Sequence, residues 1–495
     1  MQFYYGVVID IWCAVLVLMG LGTISFTHYA YRWRNPKCRD GKLPPGSMGF
    51  PLIGETIQFL IPSYSLDTPP FIKKRVARYG KLFKTSLAGK KMVITTDPEI
   101  SNYIFMEEGK SVHLWYMDSF DNFLGEALIN STATAYIHKY LKNLFLNHVG
   151  NESLKDKLLP KIELMANQAL HSWSTQPSVE VKECTANMVI ELVLKELLGY
   201  DSTKSTHNLV KMLSEFIKGI INIPLNVPGT TFHRCMKNQR KVLNLMKDIL
   251  RKRQNSTGKR EGDFLDQLID DVNKEEFMTE ELAAVLMIAL VFASFETVST
   301  AFRVAMMFLT DEQPHNLVLK KLLEEQQAII DSRENVDSPL TWKEYKSMTF
   351  TPHVINETLR MTNGIPGIVR KANKDVHING YVIPKGWIIM VSQTAIHMNP
   401  DKFKDPLSFN PWRWNDIGPN IMGKSFIPFG GGKRNCAGTE FTKVLMSVFL
   451  HVLVTKFSWT KVKGGQAVRR PGLSVKDGFH VKISPKIEYI SRKRV

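Results

Sequence analysis

The feature that most constrains this chain is a glycine-rich loop that ends in a cysteine and spans Phe426–Gly438. Its three consecutive glycines let the backbone approach a bound group closely and expose N–H groups. Beyond the loop, apolar residues recur at helical spacing from Phe441 to Val452, which predicts an amphipathic helix. Cys436 therefore lies near a helix amino end, where the dipole favours a thiolate, and Arg434 adds positive charge. The pattern indicates a reactive or metal-bound sulfur.

Two other kinds of site that are built from glycines or cysteines do not match this sequence. A phosphate-cradling loop is the competing interpretation of Gly430–Lys433, but the Gly-Lys-Ser/Thr ending of such loops is missing. The five cysteines stand at positions 13, 38, 184, 235 and 436, without a Cys-x-x-Cys pair. This sparse, odd-numbered set excludes a disulfide scaffold and a zinc ribbon.

The amino terminus has the pattern of a membrane anchor. No charge occurs from Ile11 to Thr27, and with Gly6–Ile9 the stretch reaches roughly the 20 residues of a spanning helix. Four basic residues follow between Arg32 and Arg39, which places this flank in the cytosol and the amino end outside. A cleaved signal peptide carries its positive charge before the apolar stretch, so a retained signal anchor is favoured.

The composition of the chain is that of a globular protein with a basic surface. Hydrophobic residues make up 44% and charged residues 22%, which excludes a disordered or fibrous chain. The net charge of +17 suggests an acidic partner or a membrane without choosing between them. No long Lys/Arg run or nucleic-acid motif accompanies it, so nucleic acid is not an expected partner.

The organisation along the chain predicts one large, mainly helical body with little strand. We assign residues 1–31 to the anchor, 32–55 to a basic flank and Pro/Gly-rich hinge, and 56–495 to a single catalytic domain. Strands are expected at Leu82–Ser86 and Met92–Thr96, and a hairpin at Val376–Ile389. Helical apolar spacing recurs near 157–173, 179–198, 206–221, 238–253 and 281–309.

One predicted helix carries an acidic residue in apolar surroundings. Leu282–Phe295 is an uncharged run of 14 residues, too short to span a membrane and typical of a buried core helix. Glu296 and Thr297 follow directly. Because a buried carboxylate is costly without a partner or a role, this position is a candidate functional site.

The cysteine loop resembles the haem-binding signature of the cytochrome P-450 family. The matching pattern is Phe429-x-x-Gly432-x-Arg434-x-Cys436-x-Gly438. The resemblance implies that Cys436 is the axial thiolate of the iron of haem b (iron protoporphyrin IX), with Phe429 packed beside the sulfur and Arg434 on a haem propionate. It also implies the family's fold, a triangular, mainly α haem domain with small β-sheets behind an amino-terminal transmembrane anchor.

Three further motifs match the same family. Glu357-Thr358-Leu359-Arg360 resembles its E-x-x-R motif, and Phe409–Arg413 resembles the later segment whose arginine, here Arg413, joins that pair. The implied role is a buried network that holds the proximal haem pocket. Ala293–Thr297 resembles the distal-helix motif, which implies that Glu296 and Thr297 relay protons to the oxygen site. For Thr297 the alternative is a hydroxyl bonded back to the carbonyl four residues earlier.

Other implied haem contacts are less closely matched. His138 and Lys142 occupy the place of a Trp/His-x-x-x-Arg pair, although lysine lacks the two-pronged donor of arginine. Arg370 matches a further propionate-binding position. A solvated surface residue is the alternative for His138 and Arg370.

The resemblance implies a monooxygenase that inserts one atom of O2 into a C–H bond. Electrons are expected from NADPH through the membrane-bound NADPH–cytochrome P-450 reductase, whose acidic surface would meet Lys139, Lys142, Lys433 and Lys443. The expected location is the endoplasmic reticulum membrane, single-pass, with the catalytic domain in the cytosol. Two other readings stay open: a haem-thiolate isomerase or lyase that needs no reductase, and a non-catalytic haem- or sterol-binding protein.

The expected substrate is a lipophilic polycyclic molecule. Pro44–Glu55, Asn226–Thr230 and Asn410–Trp414 resemble the plant branch that oxidises sterols, brassinosteroids and triterpenoids, and Leu170–Trp173, Val179–Val181 and Thr341–Phe350 resemble its triterpenoid- and sterol-oxidising subgroup. Hydroxylation of a triterpenoid or sterol skeleton is expected, with sterol side-chain hydroxylation or cleavage as the rival. Core packing is the alternative for the aliphatic residues among the candidate pocket walls. These walls are Trp115, Phe120, Phe216, Ile220, Ala293, Ile365 and Ile368.

Overall fold

The computed structural model describes residues 2–38, 41–115, 131–201, 209–220, 227–256, 260–310 and 317–486, and only the backbone within 2–11, 13, 131–135, 217–220 and 231. Helices dominate and small sheets accompany them, which confirms the predicted fold class. The helices are α1 Gln2–Arg34, α2 Thr56–Phe59, α3 Pro70–Tyr79, α4 Pro98–Met106, α5 Ser131–Val149, α6 Asn151–Ser153, α7 Leu159–Ser174, α8 Val181–Leu198, α9 Leu209–Ile220, α10 Thr231–Gln254, α11 Phe264–Lys274, α12 Glu280–Leu309, α13 Leu317–Asp331, α14 Trp342–Ser347, α15 Phe350–Thr362, α16 Gln393–His397, α17 Pro419–Lys424 and α18 Thr439–Lys456. The strands are β1 Leu82–Leu87, β2 Lys90–Thr95, β3 Val112–Leu114, β4 Val179–Glu180, β5 Ile368–Ala372, β6 Val376–Ile378, β7 Tyr381–Ile383, β8 Ile388–Val391, β9 Phe457–Arg469 and β10 Leu473–Pro485.

The five helices predicted from apolar spacing correspond to α7, α8, α9, α10 and α12. The largest difference is at α10, which begins at Thr231 rather than near residue 238. Thr230 caps this helix, because its hydroxyl accepts a hydrogen bond from the His233 N–H at 3.1 Å. The polar first turns therefore belong to the helix even though their apolar spacing is weak.

The chain divides into two compact units. The first contains Met1–Ser63, Asp67–Trp115 and Pro366–Ile396, and the second contains Tyr64–Leu66, Tyr116–Ile365 and His397–Val495. Each unit draws on separate stretches of the sequence, a division that the apolar spacing did not indicate.

The first unit is built on a five-stranded sheet with the order β1-β2-β8-β5-β3. β1 and β2, both predicted as strands, pair antiparallel around Gly89, and β8 lies parallel to β2. The predicted hairpin over Val376–Ile389 is only partly correct. β6 and β7 form a two-stranded hairpin, whereas Ile388 and its successors join the large sheet, because Pro384 and the positive φ of Gly386 (83°) turn the chain away.

The second unit is organised around α12, which is buried along most of its length. α8, α10 and α15 pack against it, as expected for a helix that is apolar nearly all round. A three-stranded sheet with the order β4-β10-β9 completes the unit. The long β9–β10 hairpin was not predicted, because lysines and glycines interrupt its apolar alternation.

Two described helices are long and apolar enough to cross a membrane. One is the Ala14–Arg34 part of α1, of which nothing is buried, and the other is α12, which is mostly buried. The buried helix is a core helix by this measure, whereas α1 fits a membrane anchor.

Candidate functional site

The cysteine loop, Phe426–Gly438, is fixed by its own backbone. The Cys436 N–H donates to the Phe429 carbonyl at 3.0 Å, and the Asn435 N–H donates to the Gly432 carbonyl at 3.1 Å. Gly430 and Gly432 have φ values of 78° and 64°, a left-handed conformation that other residues adopt rarely. Gly438 precedes α18, and a Cβ built there would lie 3.7 Å from the Cys436 sulfur. The loop therefore holds the cysteine side chain in one place.

The Cys436 sulfur lies among groups that stabilise negative charge. The Gly438 N–H donates a hydrogen bond to it, and the Lys142 cation lies within electrostatic range. Lys142 also donates to the carbonyls of Asn435 at 3.2 Å and Lys433 at 3.5 Å. Even so, desolvation raises the pKa of the thiol above its ordinary value. The hydrogen bond from Gly438 and the charge of Lys142 lower this pKa in part, and both would stabilise the thiolate form that binds a metal ion.

One stripe of α12 opens to solvent. Between Leu282 and Leu309 only Ala293 and Thr297 are exposed, and Ala289, one turn earlier on the same face, is half-buried. We call Ala289, Ala293 and Thr297 the open stripe. Small side chains at these positions leave room for a bound molecule beside the helix.

The Thr297 hydroxyl differs from every other hydroxyl in α12. Ser294 donates to the Val291 carbonyl at 2.8 Å, and Ser299 and Thr300 donate to the Glu296 carbonyl at 3.2 and 2.9 Å. Within the described part of the chain no hydrogen bond to the Thr297 hydroxyl is found. The Thr297 hydroxyl is therefore not seen bonded back to its own helix among the described residues, which leaves it available to a bound molecule.

Glu296 lies beside the open stripe and is paired. Its Oε1 is 2.5 Å from the Lys182 Nζ at the start of α8. A few residues further along, Phe302 of α12 packs against Phe449 of α18, with ring centroids 4.6 Å apart and ring planes tilted by 57°. This contact joins the helix of Glu296 and Thr297 to the helix that follows Cys436.

The structure brings Glu357, Arg360 and Arg413 together. Arg360 donates to both Glu357 oxygens, at 2.9 and 2.8 Å, and the Arg413 Nε donates to one of them at 3.0 Å. The Asn410 N–H at 2.9 Å and the Trp414 indole N–H at 3.2 Å complete five hydrogen bonds to this carboxylate. Glu357 and Arg360 are fully buried, so the network is structural in character.

His397, which the sequence reasoning missed, connects this network to the cysteine loop. Its Nε2 accepts a hydrogen bond from the Ile427 N–H at 2.9 Å, and its ring lies 5.7 Å from that of Phe426. Complete burial lowers the pKa of His397 to about 3, so the imidazole is neutral. The sequence offered one signal for His397, because it shows a histidine among apolar residues. Its hydrogen-bond partners could not be predicted, since they are backbone atoms far away in the chain.

The candidate propionate residues lie in different places. His138 is half-buried in α5, one turn before Lys142, and Arg434 is half-buried in the loop itself. Arg370 is not a solvated surface residue: it is buried in β5 of the first unit, where its Nε lies 2.6 Å from Glu108 Oε2. A buried guanidinium needs such a carboxylate because its desolvation is costly.

The candidate pocket walls are only partly accessible. Ala293 and Ile365 are exposed, and Trp115 and Ile368 are half-buried. Phe216 is 2% exposed within the core cluster of the second unit, which favours core packing for this residue. Phe120 and the side chain of Ile220 lie outside the described residues.

The residues present fit a haem. The described residues contain no group of three or more His, Cys, Asp or Glu that could hold a bare metal ion, whereas haem iron needs one protein thiolate. Cys436 offers such a thiol on a fixed loop, with the Gly438 N–H as a hydrogen-bond donor and the Lys142 cation within electrostatic range of its sulfur. The donor set and the open stripe of α12 suit a bound porphyrin and a small ligand.

Comparison with known proteins gives consistent matches over almost the whole chain. The family model described as cytochrome P-450 matches residues 44–485. The chain is 45% identical over 476 residues to the beta-amyrin 16-alpha-hydroxylase CYP87D16 of Maesa lanceolata, covering 96% of this chain and 99% of that protein. It is 45% identical over 475 residues to the cucurbitadienol 11-hydroxylase of Siraitia grosvenorii, covering 96% and 100%. The solved structure of retinoic acid bound cyanobacterial CYP120A1 matches with a TM-score of 0.76 at 25% identity, covering 90% of this chain and 100% of that one.

Proposed function

The chain belongs to the cytochrome P-450 family and is a haem-dependent monooxygenase, and from this premise we propose that it hydroxylates a triterpenoid or sterol skeleton. The observation that carries the substrate class is the similarity to two hydroxylases named for beta-amyrin and cucurbitadienol, over 96% of the chain in each case. The small side chains of the open stripe leave room for such a skeleton beside α12. Sterol side-chain hydroxylation or cleavage is the rival outcome within the same substrate class.

The proposed roles rest on the motifs that this chain shares with the family and, for Cys436 and Lys142, also on the contacts of the residue. Cys436 would hold the iron of haem b through its thiolate, and the haem, when bound, would supply the activation of O2 for insertion into a C–H bond. Arg434, His138 and Arg370 are proposed to bind the haem propionates, and Phe429, Gly432 and Gly438 to shape the loop. Lys142 holds two loop carbonyls and contributes positive charge near the sulfur.

Proton handling is assigned to Thr297 and Glu296. The Thr297 hydroxyl is free of the helix and can donate a hydrogen bond to a ligand on the open stripe. Glu296, one residue earlier and in contact with Lys182, can hold a proton at its carboxylate and pass it towards that hydroxyl. Glu357, Arg360 and Arg413 are proposed to be structural, because they contact one another and the backbone.

The proposed setting is the endoplasmic reticulum membrane, with α1 as a single-pass anchor and the catalytic domain in the cytosol. NADPH–cytochrome P-450 reductase is the proposed electron donor. Of the lysines predicted to meet it, Lys142 is committed to loop carbonyls and Lys443 is paired with Glu440 at 3.0 Å. Lys139 and Lys433 are exposed, so they are the better candidates for docking.

Expression with a reductase in a host that makes candidate triterpenes and sterols tests the proposal. The expected product, detected by mass spectrometry, carries one added oxygen atom and depends on the reductase. Conversion of linear lipids with no conversion of any polycyclic substrate would contradict the proposed substrate class.

A different class of activity, isomerisation or lysis of hydroperoxides without a reductase, is less consistent with the site. The free hydroxyl of Thr297 beside an acidic residue favours proton delivery during O2 activation. Product formation that persists without NADPH and reductase would support this second function.

A further inference from the structure

Arg469, at the end of β9, binds three backbone carbonyls from two other parts of the chain. Its Nε donates to the Leu66 carbonyl at 2.9 Å, its Nη1 to the Asn363 carbonyl at 3.2 Å and its Nη2 to the Met361 carbonyl at 3.1 Å. The residue is 1% exposed, and its planar guanidinium presents the donors in a fixed fork. Arg469 therefore fixes the positions of these carbonyls relative to one another.

Two of the carbonyls lie at the end of α15, where a helix needs such a partner. The last carbonyls of a helix lack partners within it, and a cation at this end also interacts favourably with the helix dipole. Asn363 ends α15 in a left-handed conformation with a φ of 34°, and its side-chain amide donates to the Arg360 carbonyl at 2.6 Å. The chain turns at Asn363, and Arg469 binds it both before the turn, at Met361, and at the turn itself.

The next residues, Gly364 and Ile365, lie beside α12 at the end of the open stripe. A Cβ built on Gly364 would lie 3.8 Å from Cγ2 of Thr300, and Thr300 follows Thr297 by about one helical turn. Ile365 comes directly after and is 43% exposed. A branched apolar side chain at this place can contact an apolar ligand that lies along the open stripe.

We propose that Arg469 is a positioning residue that determines the orientation in which the polycyclic substrate binds. Arg469 holds the turn at residues 363–365 in one place, and Ile365 then forms a fixed wall against which the ring system rests beside the open stripe. Because a displacement of about 1 Å can change a rate strongly, a wall that moves would expose different carbons of the skeleton to oxidation. This inference rests on the proposed function and adds to it a residue that selects the position of oxidation.

Arg469→Lys tests the proposal, with Arg333→Lys as the matched control. The Arg333 side chain is also buried in the second unit, but its hydrogen bonds go to Glu344 and to the Ser338 carbonyl, outside the turn and α12. Lysine lacks the fork of donors in both places, so both variants should have a lower thermal midpoint. Only Arg469→Lys should raise KM at least about threefold, with kcat changed less than about twofold, and shift the ratio of hydroxylated products at least about threefold.

Three further measurements separate positioning from a merely structural role. The amides of residues 363–365 should exchange hydrogen for deuterium at least about threefold faster in Arg469→Lys, and at the wild-type rate in Arg333→Lys. Ile365→Ala should shift the product ratio without lowering the thermal midpoint, because this side chain is partly exposed. A crystal structure of the wild-type holoenzyme with a bound triterpenoid or sterol should show Ile365 in contact with the ring system. If Arg469→Lys does not fold, Arg469→Gln, which keeps two donors without burying a charge, gives the same comparison.

An unchanged product ratio in the Arg469 variant or in Ile365→Ala, an equal shift in Arg333→Lys, or unchanged exchange at residues 363–365 would overturn this inference. A bound ring system that does not touch Ile365 would overturn it as well. If the wild-type protein with NADPH and reductase converted no triterpenoid or sterol, the proposed function would fail instead, so the two failures are distinguishable.

Discussion

Arg360 and His397 each donate a hydrogen bond to the backbone carbonyl of the other. The Arg360 Nη1 donates to the His397 carbonyl at 3.0 Å, and the His397 Nδ1 donates to the Arg360 carbonyl at 3.2 Å. Since His397 Nε2 accepts from the Ile427 N–H, the partners fix the neutral Nδ1–H tautomer. This pair links the helix of Glu357 to the beginning of the cysteine loop.

Replacing His397 with phenylalanine should destabilise the protein and loosen the loop. The ring volume is nearly kept, but the Ile427 N–H loses a buried partner, at about 1–3 kcal/mol, whereas the Arg360 carbonyl still accepts from the Asn363 amide at 2.6 Å. We expect a lower thermal midpoint and a smaller fraction of protein that retains the haem-thiolate spectrum. His171→Phe, at an exposed position, should leave both unchanged. If both variants had the same thermal midpoint and the same fraction of protein with the haem-thiolate spectrum, the proposed link between His397 and the cysteine loop would be refuted.

Acidification should destabilise the protein through two buried histidines. Burial lowers the pKa of both His397 and His451 from 6.5 to about 3, so the folded state keeps them neutral while the unfolded chain binds protons. Their contribution to stability is complete above pH 6.5 and is lost as the pH falls from 6.5 towards 3, by about 1.4 kcal/mol per pH unit for each histidine. Denaturant unfolding at a series of pH values measures this slope, and His451→Gln should reduce it. A stability that rises on acidification over this range would contradict the assignment.

Thr297→Ala should impair catalysis more than folding. Its hydroxyl makes no hydrogen bond within the described part of the chain, so the thermal midpoint should hardly move, while product per NADPH should fall at least about fivefold. Thr300→Ala is the matched control, because the Thr300 hydroxyl is buried and bonded to the Glu296 carbonyl at 2.9 Å. The free energy of unfolding of Thr300→Ala should fall by about 1 kcal/mol, and its product formed per NADPH should stay that of the wild type. If Thr300→Ala lowered the product formed per NADPH and Thr297→Ala did not, the proton-handling role would belong to Thr300 and the assignment to Thr297 would be wrong.

Arg413→Lys should weaken the network around Glu357 without removing its charge. Lysine cannot reproduce the donors of Arg413 to the carbonyls of Lys404, Asp405 and Ser408. We expect the free energy of unfolding to fall by about 1–3 kcal/mol. Arg251→Lys, in an exposed pair with Glu280, is the control and should show no measurable change. If Arg413→Lys left the free energy of unfolding unchanged, Arg413 would contribute little to the stability of the network.

Local sequence signals predicted those parts of the site that depend on spacing within one element. Glu357 and Arg360 stand three residues apart, and on a helix this spacing alone brings their side chains together. The helix that follows Cys436 and the buried helix α12 were likewise predictable from apolar periodicity. The rest of the network could be identified only from the structure, because Asn410 and Trp414 lie more than fifty residues from Glu357 in the sequence.

Contacts between distant segments were not predictable from the sequence. The partners of His397 are backbone atoms 37 and 30 residues away, and backbone groups carry no sequence signal. Arg303 interrupts an apolar helix, which was a visible signal, but Glu180, whose charge acts on it, comes from a different part of the chain. The predicted hairpin over Val376–Ile389 was wrong at its end for the same reason, since β8 pairs with the distant strand β2.

The reduced carbon monoxide difference spectrum tests the central claim, that Cys436 is the thiolate ligand of a haem, most directly. The wild-type protein is expected to show the Soret band of a thiolate-ligated haem. Cys436→Ser should abolish that band, whereas Cys184→Ser should keep it, because Cys184 lies in α8, where burial raises the pKa of its thiol to about 12. Retention of the band in Cys436→Ser, or its loss in Cys184→Ser, would contradict the account.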